Sequence, residues 1–207
     1  MGSIAAIFSK RIPLFISFIF HPLLMPSLGV YIVLDSGTVL SLLSPVAQKI
    51  IMIAMITGTL AMPMAFLPFY FFRQLTKVSD ETKRHLAPIM VAALFYYLVF
   101  RLFGSWGAPR LIQSFLIALI VNACLLVVLL KRYDVSVYMN GIGVVMGLIF
   151  VLIFKYGAHL LFYLMIVIFI AGSLASARLS LNKHNPSQVY GGLLLGIVIT
   201  STLLMLL

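Results

Sequence analysis

The run Leu111–Leu130, LIQSFLIALIVNACLLVVLL, decides the fold. A helix needs about 20 predominantly apolar residues to cross the hydrocarbon core of a bilayer, and this run has that length. Lipid offers no hydrogen bonds to the backbone, so a spanning segment is either a helix or a strand of a closed barrel. Barrel strands alternate apolar and polar residues. This run does not alternate, and it is rich in Leu, Ile and Ala, so it reads as a transmembrane helix.

Working outward, six more runs of this kind appear. The predicted spans are Leu14–Leu34, Ile50–Phe72, Leu86–Phe103, Leu111–Leu130, Tyr138–Phe154, Leu160–Ala177 and Val189–Leu207. Composition agrees, with 63% of the 207 residues hydrophobic, 9% charged and a mean hydropathy of +1.20. A soluble domain is about 45–50% apolar and about 25% charged, so the surplus apolar surface must face lipid. The expected fold is an all-α polytopic transmembrane helical bundle of about seven spans. It forms a single integral membrane domain over residues 1–207, with two N-terminal spans in 1–72 and the remainder in 73–207. No soluble domain, low-complexity tract or long linker interrupts it.

The net charge of +10 would point to nucleic acid in a soluble protein. Here the cations flank apolar spans, so membrane topology or an anionic ligand accounts for them, and no nucleic-acid partner is expected. The single Cys124 excludes an intramolecular disulfide. Lys10 and Arg11 precede an apolar stretch that outruns a signal peptide and lacks a small-residue cleavage site, so it reads as a retained span. Pro22, Pro26, Pro63 and Pro68 lie within the first two spans and predict kinks. Gly143–Gly147 and Gly192–Gly196 each give a GxxxG spacing, which predicts close helix–helix packing.

Seven spans also fix a parity. The N-terminus and the loops around Arg73–His85, Lys131–Tyr138 and Arg178–Ser187 share one side, which carries ten of the 14 Lys and Arg. Three features on that side could converge. Lys77 and Arg84 are seven positions apart in KVSDETKR, about two helical turns. Ser136 and Tyr138 lie in DVSVYMNGIG, and Arg178 and His184 lie in ARLSLNKHNPSQVYGG. Lys, Arg, Ser and His without a carboxylate cage suit an oxyanion pocket, with Arg often bidentate to phosphate. They do not suit a metal site, and no pair of histidines and carboxylates has metal-ligand spacing.

In their order along the chain, these segments resemble the signatures of the type 2 phosphatidic acid phosphatase superfamily, the lipid phosphate phosphatases. The family patterns are KxxxxxxRP, PSGH and SRxxxxxHxxxD. Lys77 and Arg84 match the first, with His85 in place of its proline. Ser136 matches the second, with Tyr138 in place of its histidine. Arg178 and His184 match the third, with Ala177 and Gln188 in place of its serine and aspartate. HNPSQVYGGLLLG also looks like a bacterial branch that carries glutamine at the last position. The resemblance runs from Lys77 to the C-terminus.

The resemblance implies a phosphatase-like core in the bacterial cytoplasmic (inner) membrane and a metal-free reaction with no cofactor, acting on a phosphorylated membrane lipid. By it, His184 attacks phosphorus to give a phosphohistidine, and Lys77, Arg84, Ser136 and Arg178 hold the phosphoryl oxygens. Tyr138 stands where the acid for the leaving group belongs, and Gln188 where the orienter of His184 belongs. Histidine titrates near about 6.5 and tyrosine near about 10, so the phenol is the weaker acid. A diphosphate, whose leaving group needs less protonation, is favoured over a monoester. An amide in place of a carboxylate supplies no charge, and the same change in a serine protease triad costs about 10⁴ in kcat.

Other readings stay open beside this one. Asn185-Pro186-Ser187-Gln188 has the order of a helix N-terminus, with Gln188 in a capping box. Tyr138 suits an interfacial aromatic, and His21 and His159 suit structural roles. A catalytically inactive member would bind lipid headgroups, pair with a second copy or serve as a subunit of a membrane complex. A transporter ranks last, because intramembrane carboxylates are missing. The count of cations votes for a cytoplasmic face, but the site residues are themselves cationic, so the side stays open.

Overall fold

The computed structural model describes residues 2–66, 81–130, 132–181 and 184–207, side chains at 2–10, 39 and 81–85 excepted. Among them every regular element is helical. The helices are α1 (Gly2–Ile19), α2 (Met25–Asp35), α3 (Pro45–Ile56), α4 (Glu81–Ser105), α5 (Arg110–Leu129), α6 (Val137–Tyr156), α7 (Leu161–Ser180) and α8 (Pro186–Leu206). Among the described residues seven stretches are long and apolar enough to cross a membrane, the number the apolar runs predict. The protein is an integral membrane protein, and its regular structure among the described residues is all helical.

The first span, Arg11–Asp35, is not continuous. Pro22 and Pro26 have no N–H to give a helix, and a residue before proline is pushed out of the helical region. Accordingly His21 is extended (φ −66°, ψ 137°), and Pro22–Leu24 form one 3₁₀ turn before α2 begins. The N–H of Leu23, which would otherwise lack an acceptor, donates to His21 Nδ1 at 3.3 Å. The second span widens ahead of Pro63 into a π-turn over Thr57–Ala61, where the Met62 N–H donates to the Thr57 carbonyl. Thr59, fully buried there, donates to the Met55 carbonyl at 2.7 Å and lies 3.1 Å from the hydroxyl of Ser27 on α2. Pro68 lies outside the described residues.

Helix α6 is the centre of the bundle. It is 67% buried, more than any other span, and α2, α7 and above all α8 pack on it. The two GxxxG faces meet here. A Cβ on Gly143 would strike the Leu193 carbonyl oxygen, and one on Gly196 the Asn140 carbonyl oxygen. One on Gly192 would sit 2.6 Å from the Ser136 oxygen. Only glycine lets these backbones approach so closely.

That approach locks the two helices in register at both ends. At one end the Ser136 N–H donates to the Gln188 carbonyl at 3.1 Å. At the other, Lys155 Nζ donates to the terminal carbonyls of α8, Leu204 at 2.9 Å and Met205 at 3.2 Å, which a helix leaves unpaired. Nearby the Tyr163 hydroxyl donates to Asp35, tying α7 to α2.

Candidate functional site

Where α6 begins, α7 ends and α8 begins, polar side chains gather. Ser136 is the N-cap residue of α6, and its carbonyl accepts the Asn140 N–H at 2.9 Å. Pro186 opens α8, with Asn185 as its N-cap. Gln188 Oε1 accepts the Asn185 N–H at 2.9 Å, one half of a capping box. Arg178 lies in the last turn of α7, where a cation complements the helix dipole.

Arg178 is only 5% exposed. Its guanidinium carbon lies 3.3 Å from the centre of the Tyr138 ring, a cation–π contact. The ring of His21 meets the same tyrosine edge-on, at 5.8 Å between centroids and 77° between planes. Among the described residues, neither Arg178 Nε nor Ser136 Oγ has a hydrogen-bond partner, though both are buried. A buried donor left unpaired costs about 1–3 kcal/mol, which a bound oxyanion would relieve at Arg178.

His21, Tyr138 and Arg178 open onto a cavity of about 780 Å³, within the range of small-ligand sites. His21, Asp134, Tyr138, Arg178 and His184 line its polar end. Farther in lie Asn122 and Asn140, whose amides bond each other reciprocally at 2.7 and 3.2 Å. This amide pair joins α5 to α6 by side-chain hydrogen bonds. Beyond it the walls are almost wholly apolar, with Leu119, Ala92 and Val144 among them, and Tyr96 is the exception. Along α4 the lining runs from Pro88 to Tyr96, about 12 Å at 1.5 Å per residue.

No family model, curated protein or solved structure matches the chain.

Of the residues singled out from sequence, Tyr138, Arg178 and His184 come together around one cavity. Ser136 is fully buried and does not line it. Gln188 is likewise not among the lining residues, and its carbonyl oxygen is engaged in capping α8. Lys77 lies outside the described residues, and so does the side chain of Arg84. The sequence reading gave no site role to His21, Asp134, Asn122 or Asn140. For His21, Asn122 and Asn140 the one signal was polarity inside an apolar run, since a polar side chain in a span usually faces the bundle interior; Asp134 lies in the loop before α6 and carried no such signal. Among the described residues no three His, Cys, Asp or Glu side chains converge as a metal-binding group.

Proposed function

We propose that the cavity takes up a membrane lipid by its phosphate or diphosphate head, and that the protein removes the phosphoryl group slowly, as a divergent lipid phosphate phosphatase of the bacterial cytoplasmic membrane. One observation carries this reading: Arg178 and His184 line the polar end of a cavity whose body is apolar. An amphiphile with an anionic head matches both halves, whereas free phosphate would match only the first.

In this reading an imidazole nitrogen of His184 bonds to phosphorus as the bond from phosphorus to the leaving oxygen breaks. Water then attacks the phosphohistidine, and phosphate departs. Arg178, with Lys77 and Arg84, neutralises the equatorial oxygens, which is most of what phosphoryl transfer asks of a protein. Tyr138 gives the leaving oxygen a hydrogen bond, not a ready proton, so a lipid diphosphate is the better substrate. The test is to mix purified protein with ³²P-labelled isoprenoid diphosphate or phosphatidic acid and look for labelled histidine and released phosphate. Label that vanishes in His184→Ala supports the reading. Phosphate release unchanged by that substitution would take His184 out of the mechanism.

A second reading is a lipid-binding member without turnover, alone or within a membrane complex. Two observations favour it: Arg178 is already stacked on Tyr138, and Gln188 spends its carbonyl oxygen on capping. Phosphate-dependent lipid binding with neither label nor release would assign the protein to this second reading.

A further inference from the structure

We infer that His21 is a ligand-contacting residue of this cavity, a neutral imidazole whose Nε2–H donates a hydrogen bond to an oxygen of the bound head. The inference rests on the proposal that the cavity holds a phosphorylated lipid. It adds a residue from the first span, which lies outside every segment that carries the family resemblance.

The backbone around His21 explains why it is there. Proline at 22 has no N–H and drives His21 into extended geometry, so the chain leaves α1 and turns beside the start of α6. His21 thereby lines the cavity with Arg178 and His184. Its Nδ1 accepts the Leu23 N–H at 3.3 Å. A ring nitrogen that accepts a hydrogen bond carries no proton, so the proton of the neutral ring sits on Nε2. Leu23 on one side and the edge-on Tyr138 ring on another hold the imidazole in place.

A donor fixed before the ligand arrives needs no reorganisation, the condition under which a neutral imidazole N–H stabilises oxygen charge well. His21 does not act as the acid that Tyr138 replaces. Giving up the Nε2 proton would leave an imidazolate, so the residue donates a hydrogen bond and keeps its proton. Capping Leu23 does not by itself call for histidine. Asn, Asp or Ser offers the same acceptor, and what imidazole adds is the second nitrogen.

The two roles separate by substitution. His21→Asn keeps an acceptor for the Leu23 N–H but has nothing at the Nε2 position. His21→Gln reaches that position with an N–H donor. Equilibrium binding of dioleoyl phosphatidic acid to the full-length protein in nanodiscs is compared with that of dioleoylglycerol. The Asn variant should bind phosphatidic acid about tenfold or more weakly, the loss expected for a hydrogen bond to a charged group. The Gln variant should recover to within about threefold, and dioleoylglycerol binding should not change in either.

An Asn variant that binds as wild type, or a Gln variant no better than Asn, overturns the inference and leaves His21 a cap. Wild-type protein that shows no preference for phosphatidic acid over dioleoylglycerol is a different result, and it defeats the proposal for the cavity itself. A measurement without substitution stands beside these. In ¹⁵N-histidine-labelled wild type, the Nε2–H resonance of His21 should be visible and should move on adding phosphatidic acid but not dioleoylglycerol. A resonance that stays still contradicts the contact.

Discussion

The guanidinium carbon of Arg178 lies 3.3 Å above the centre of the Tyr138 ring. The contact joins the last turn of α7 to the first turn of α6, and it buries a cation at the polar end of a cavity whose deeper walls are mostly apolar. Only a flat, delocalised cation stacks this way, and a stacked guanidinium still has N–H groups at its edge to offer an anion.

Arg178→Lys keeps the charge but not the stack or the fork of donors. Phosphatidic acid affinity should fall about tenfold, the loss of one or two charge-assisted hydrogen bonds. Loss of the cation–π contact should destabilise the protein by about 0.5–2 kcal/mol. Tyr138→Phe retains the ring face, so its melting temperature in detergent should match wild type. Tyr138→His should raise phosphate release, because imidazolium is the better acid for the leaving oxygen.

The α6–α8 seam gives a contrast within one residue type. Gly143→Ala and Gly196→Ala push a methyl group into a carbonyl oxygen of the facing helix, which the backbone cannot move aside cheaply. Each should destabilise by about 1–3 kcal/mol or more. At Gly172 and Gly191 a methyl group would meet nothing within 4 Å, so Ala there should be neutral or stabilising by up to about 1 kcal/mol. Thermal melts of the four variants in one detergent check the ranking.

Asn122 and Asn140 satisfy each other, so removing one partner strands the other. Asn122→Leu and Asn140→Leu should each destabilise by about 1–2 kcal/mol, and the double variant should cost less than the sum of the two. A double-mutant cycle from denaturant melts measures the coupling. Additive losses would mean that the amides act independently.

The spans were legible because each apolar run is long enough to cross the bilayer, and lipid leaves no other backbone arrangement open to such a run. The close seam between α6 and α8 was legible because four glycines recur at helical spacing on two runs. The interruption at His21–Leu24 was legible only in part. Pro22 and Pro26 announce a kink in the run Leu14–Leu34, but a hydropathy window averages them into the leucines around them and does not show that the chain leaves the helix for a 3₁₀ turn there. The site was legible only where motif residues announced it, at Tyr138, Arg178 and His184. His21 and the Asn122–Asn140 pair reach the cavity through contacts between residues far apart in the chain, which local spacing does not encode. For Gln188 the sequence offered two roles, and the cap is the one with a hydrogen bond in the structure.

Gln188→Glu separates those two roles. A glutamate keeps an oxygen for the Asn185 N–H and puts a negative charge in the first turn of α8, a favourable position worth about 0.3–1 kcal/mol. Stability should hold or rise slightly. Phosphate release should rise as well, since a carboxylate stabilises a positively charged His184 where an amide does not. Gln188→Ala should cost about 0.5–2 kcal/mol through the lost cap.

The most direct measurement is photo-crosslinking with a phosphatidic acid that carries a diazirine midway along one acyl chain, with adducts mapped by mass spectrometry. Adducts should fall on the cavity wall at Ile89, Ala92, Leu119 and Leu126, and they should disappear with excess unlabelled phosphatidic acid and in Arg178→Gln. Adducts confined to outward-facing residues such as Phe162 and Phe169, unchanged by competitor or by the substitution, would contradict a lipid held head-first in this cavity.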